Sequence, residues 1–162
     1  MFLALALLLA GLPPSETDLE DARAAAIRSL IGADDGGYFK RYCIAANPGI
    51  LSTPATRESR LGSTSSEPDP QPSLLARLRS ASDRIVPASE CNRKGEHVVH
   101  RSTGARPALF IVLGPAEVVT PHLLRFAFFY TSGFLTETQG LIEVAKKDAE
   151  WHVVRDEILL QS

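Results

Sequence analysis

Apolar positions recur along this chain with two different periods, one in each half. Residues 2 to 12, FLALALLLAGL, are an unbroken apolar run that Pro13 and Pro14 stop. Beyond it, Leu19, Ala22, Ala26, Ile27, Leu30 and Ile31 fall on one helical stripe, which predicts an amphipathic helix over 18–31. Thr17 and Glu20 have capping-box spacing, and Gly32 stands where a C-terminal cap belongs. After a DDGG turn at 34–37, the aromatic and β-branched content of YFKRYCIAA (38–46) favours a strand over a short helix. Pro70 and Pro72 lead into a second helical stripe, Leu74, Leu75, Leu78 and Ala81, with Arg77, Arg79 and Asp83 pointing away. That pattern predicts a helix over 73–83.

From residue 98 the period shortens to two. VVHR (98–101), ALFIVLG (108–114), LLRFAFFY (123–130), GLIEVAKK (140–147) and EWHVVRDEILL (150–160) read as strands. Pro115 and Pro121 bracket one connection, Gly133 marks another, and Lys147-Asp148-Ala149-Glu150 forms a tight hairpin turn. The 123–130 segment is apolar on both faces, which places it centrally. In the last hairpin Ile142, Val144, Trp151 and Val153 face inward, opposite Glu143, His152 and Val154. Helices first and strands afterwards predict an α+β fold, with the N-terminal helix packed on a curved antiparallel sheet and a second short helix before the strand meander.

Composition narrows the class. With 162 residues, 44% hydrophobic and 22% charged, the chain has the size and balance of one globular domain rather than a collagenous or disordered protein. A net charge of -2 offers no basic excess for nucleic acid or an anionic membrane. The run at 2–12 is shorter than the roughly 20 residues needed to cross a bilayer, but it suits the core of a secretory signal. Residues 1–16 are therefore expected to be a signal-peptide region, with Ala10 and Gly11 near the processing point, and 17–162 a single domain. The competing reading is a short buried helix, since no Lys or Arg precedes the run. Export would place the domain in the periplasm or outside the cell. Residues 48–72 carry five prolines among many Ser and Thr and show neither period, so a long loop or disordered excursion is expected there, ahead of a protruding recognition loop.

Few residues point to chemistry. Cys43 and Cys91 lie 48 positions apart and form no CxxC pair; in an oxidising compartment they read as a disulfide contributing about 4 kcal/mol, ahead of two separate buried thiols or one reactive thiolate. His97 and His100, near Cys91 and Glu96, are the metal suspects, but a spacing of three on a strand sends them to opposite faces, so no metal is expected. His122 and His152 share their half of the chain with Glu117, Asp156 and Glu157 as acid–base candidates, against the simpler reading of solvated sheet-end residues. No Gly-x-Ser-x-Gly or GxGxxG motif is present, and no cofactor is expected. Phe126, Phe128, Tyr130, Phe134 and Trp151 would line an apolar pocket if they are not simply core.

The succession of DPQPSLLARLR, PASEC and the closing GFLTETQGLIEVAKKDAEWHVVRDEILLQS resembles small uncharacterised exported bacterial proteins. More distantly it is similar to the cystatin-like and nuclear-transport-factor-two-like cone folds, in which a bent antiparallel sheet wraps a helix. The resemblance implies a fold and no single reaction, because such folds serve isomerases, dehydratases, ligand carriers and interaction modules alike. The leading expectation is an exported, non-enzymatic domain that binds a partner protein or envelope component through its sheet face or long loop; by analogy with cone folds, a homodimer is one such assembly. The rival is a small-ligand binder or an isomerase- or dehydratase-like enzyme using the aromatic pocket with His122 or His152.

Overall fold

The computed structural model describes residues 13–32, 37–46, 68–94, 97–133 and 136–161. The expected signal-peptide core and residues 48–67 of the Pro/Ser-rich stretch lie outside the described residues. Helix α1 spans Glu16–Gly32. Its N-terminus is closed by Ser15 and Asp18: the Asp18 N–H donates to Ser15 Oγ at 3.1 Å, and the Ser15 N–H donates back to the Asp18 carboxylate at 3.3 Å. This is a capping box set two residues earlier than predicted. Glu20 does not serve it, because its carboxylate accepts from the Ser73 hydroxyl and pairs with Arg77 on the second helix. That helix, α2, spans Pro72–Arg79 with Pro72 at its first turn. It ends four residues sooner than the apolar stripe suggests. The Ser80 hydroxyl caps the Arg77 carbonyl at 2.7 Å, and Ser82 Oγ takes the Arg84 N–H at 3.2 Å, turning the chain away.

Among the described residues eight strands form one sheet: β1 Arg41–Ala46, β2 Ile85–Pro87, β3 Cys91–Lys94, β4 His97–His100, β5 Ala108–Thr120, β6 Leu123–Gly133, β7 Thr136–Lys147 and β8 Glu150–Gln161. A single 3₁₀ turn, Ala88–Glu90, separates β2 from β3. Strands β5 to β8 are the predicted antiparallel meander. The sheet as a whole is mixed, which corrects the purely antiparallel expectation, because β1 lies parallel to both β2 and β5. Tyr42, Cys43, Ile44 and Ala45 are all buried, so β1 needs cover on both faces and a partner on both edges. Strand β5 runs past its predicted end. The register slips by one residue between Leu113 and Ala116, and this bulge admits Gly114 and Pro115 without ending the strand.

The two faces bury different sets. On one, Ala22, Ala26 and Ile27 of α1 and Leu78 of α2 meet Tyr42, Ile44, Ile111, Leu124, Phe126, Phe128, Ile142 and Val144. On the other, Phe110, Val112 and Phe129 cluster with Val86, Cys91 and Val98. Strand β6 feeds both clusters and pairs with β5 and β7 along its length, the central place its sequence predicts. Trp151 and Val153 face inward and Val154 outward, also as expected.

At the β7–β8 turn Asp148 and Ala149 have φ of 51° and 69°. Two left-handed residues are what a type I′ hairpin requires, and alanine tolerates the second position poorly. Ala149→Gly is expected to stabilise the fold by about 1 kcal/mol, read as a higher urea midpoint at unchanged m-value.

Candidate functional site

Strand β8 pairs with β7 alone and leaves its other edge without a strand among the described residues. Helix α1 covers Trp151 and Val153 near the start of β8, but from Val154 onward most of the strand is exposed on both faces. Val154 is 57% exposed, Ile158 54%, Leu159 60% and Leu160 52%. The strand is held to β7 with two register slips, between the Val144 and Glu143 pairs and between the Gly140 and Gln139 pairs, which leave Val154 and Leu159 as extra residues. Between these bulges, Arg155 to Ile158 pair regularly with Glu143 to Gly140. Gly140 is required there, because a side chain at that position would strike the Glu157 carbonyl and the Phe128 ring.

A row of charges crosses the meander on the face opposite the helices. Glu117, Arg125, Glu143 and Arg155 stand directly opposite one another on β5, β6, β7 and β8. Arg125 donates to Glu143 Oε1 from Nε at 2.9 Å and Nη2 at 2.7 Å, with Glu117 at 3.4 Å on its other side. Its hydrogen bond to Glu143, and then the charge of Glu117, raise the Arg125 guanidinium above its ordinary value. The row alternates in sign and ends on Arg155, which reaches along its own strand to Glu157 at 2.8 Å.

A cleft of about 440 Å³ opens between the first half of α1, the end of β1, the segment entering α2 and the β5 bulge. Leu74, Leu113 and Ala46 provide apolar walls; Glu16, Glu20, Arg23 and Asp69 provide charge. Two of these carboxylates already have structural work. Glu20 holds α2, and Asp69 accepts from the Ser89 N–H at 2.8 Å and hydroxyl at 2.6 Å. None of the described residues of the aromatic set lines this cleft. Phe126 and Phe128 are core residues, Phe128 stacks on Tyr130 at 5.9 Å, Trp151 is buried at the start of β8, and Phe134 lies outside the described residues.

The histidines do not converge. His122 is exposed at the β5–β6 turn, and His152, also exposed, has Glu150 as its nearest acid at 3.7 Å rather than Asp156 or Glu157. His97 is exposed while His100 is buried, and Cys91 is not free to bind metal, since it forms a disulfide with Cys43 at a Cα separation of 6.2 Å. No group of three or more metal-binding side chains occurs among the described residues. Register instead builds a pair that sequence reading missed. His100 stands opposite Cys91, which brings its Nε2 to 3.1 Å from Glu90 and its Nδ1 to 2.8 Å from the Thr103 hydroxyl. This arrangement can fix a ring and relay a proton, but its evident role is to fasten the β3–β4 hairpin beside the disulfide.

The first turn of α1 is fastened to the β7–β8 hairpin by Lys146, which donates to Asp18 at 2.6 Å and lies 6.0 Å from the centre of the Trp151 ring. Hydrogen bonds from Lys146 and then Ser15 lower the Asp18 carboxyl to about 2. The folded value is below the unfolded one of 3.8, so the contact is fully formed above about pH 4 and is lost as pH falls towards 2. Acid titration of stability should therefore show a limb between those values that Asp18→Asn flattens. Reduction of Cys43–Cys91 should cost about 4 kcal/mol in the chain-entropy description of a 48-residue loop, measured by denaturation with and without reductant. Compared with protein-family models, curated proteins and solved structures, the chain matches none.

Proposed function

We propose that this is an exported, non-enzymatic binding module that takes a protein partner along β8. The observation that carries the reading is the unpaired edge of β8, flanked by Val154, Ile158, Leu159 and Leu160. An open strand edge offers main-chain donors and acceptors to an added strand, and neighbouring aliphatic side chains supply the apolar cover. Covering a fully exposed aliphatic side chain is worth about 1.5 to 3 kcal/mol, so four half-exposed ones represent a useful share of a binding energy. The disulfide supports export, since such bonds persist in oxidising compartments. One long helix lying on an antiparallel meander supports the likeness to cystatin-like and nuclear-transport-factor-two-like cones, while the parallel β1 is a departure from it. The enzymatic or small-ligand alternative has less support: neither His122 nor His152 lines the cleft, and the aromatic residues described pack as core.

Hydrogen exchange tests the edge directly. In dilute protein, the β8 amides that point away from β7 should exchange quickly. They should slow on addition of a lysine-flanked peptide of alternating valine and threonine, and an Ile158→Lys/Leu160→Lys variant should weaken that response several-fold. Full protection of β8 amides in the dilute monomer would show that the edge is not open and would defeat the reading.

A further inference from the structure

We propose that the partner accepted by β8 is a second copy of this chain, joined antiparallel about Asp156 so that two eight-stranded sheets become one. The inference rests on the open edge argued above and goes further by fixing both occupant and register.

A two-fold axis perpendicular to the sheet keeps every side chain on its own face, so the strand pairs with one residue facing itself at the centre. The bulges at Val154 and Leu159 confine regular pairing to the stretch around Arg155 to Ile158, which leaves few registers. Centred on Arg155, the two guanidinium groups would face each other. Centred on Glu157, two carboxylates meet, Arg155 opposes Leu159 and Asp156 opposes Ile158. Centred on Asp156, Arg155 of each copy opposes Glu157 of the other. Opposite charges and apolar pairs set directly across strands are the favourable combinations. This register forms two opposite-charge pairs and leaves a single like-charged pair, Asp156 with its counterpart, on the other face from the arginines.

The charge row supplies the second argument. Glu117, Arg125, Glu143 and Arg155 alternate in sign across four adjacent strands and stop on a cation at the edge. Only the register centred on Asp156 places a carboxylate, Glu157 of the second copy, in the next position of the row. In the single chain that carboxylate is paired with its own Arg155 at 2.8 Å, so the exchange keeps each partner matched.

Sedimentation velocity over a wide concentration series, with circular dichroism to verify folding, is the test. The wild-type chain should show a reversible monomer–dimer equilibrium. Arg155→Glu and Glu157→Arg should each weaken it at least tenfold, and the Arg155→Glu/Glu157→Arg double variant should recover most of the loss. Under mild oxidation Asp156→Cys should give a covalent dimer and Ile158→Cys should not. A chain that stays monomeric at every concentration, with β8 amides exchanging fast, would overturn the homodimer while leaving the edge open to another protein. A dimer indifferent to the charge reversals would overturn the register, and protected β8 amides in the monomer would overturn the edge itself.

Discussion

The constraint on which the structure depends is that the stretch of β6 around Phe128 and Phe129 is buried on both faces. Leu124, Phe126 and Phe128 need cover on one side and Phe129 on the other, and the chain meets the two needs with different material. Helices α1 and α2 lie over the first set. The β3–β4 hairpin and the Ala88–Glu90 turn before it, fastened by the disulfide and by the His100–Glu90 contact, pack against the second. Because apolar burial contributes roughly 25 cal/mol per Å², a central strand rich in phenylalanine supplies much of the drive for both layers to dock.

That division of cover explains where the molecule is left open. The β3–β4 hairpin packs only on the β1 side of the sheet, and α1 reaches only the first residues of β8. The outer face of the meander is therefore kept soluble by its alternating charges, and the far half of β8 by Arg155, Asp156 and Glu157. Charges and bulges on an edge strand ordinarily discourage indiscriminate pairing. The same devices would restrict any added strand, which would have to match both the signs and the irregular spacing.

Local patterns were legible where the cause was local. The stripe from Leu19 to Ile31 marked α1, the two-sided apolar run at 123–130 marked the central strand, and KKDAEW marked the last turn. The Cys43–Cys91 bridge followed from an argument about compartment as much as from the residues. What escaped were features set by distant partners. Ile85-Val86-Pro87 and Cys91-Asn92-Arg93-Lys94 are too short or too polar to show a period, and become strands only because β1 and β4 offer them edges. The parallel pairing of β1 with β5 joins segments far apart in the chain, which no window of sequence can register. The open side of β8 was hidden for a similar reason: Val153 and Ile158 look alike in a pattern, and only the length of α1 decides which of them is sheltered.

The covalent link between β1 and β3 also changes what a backbone cut would do. Residues 47 to 67 fall between Cys43 and Cys91, so a protease acting there would produce two pieces that remain one molecule until the cystine is reduced. The N-terminal piece would carry α1 and β1, the other α2 and the rest of the sheet, and the shared core would hold them in place. The domain can thus survive a nick in its longest connection as a two-chain protein, with its β8 edge unchanged.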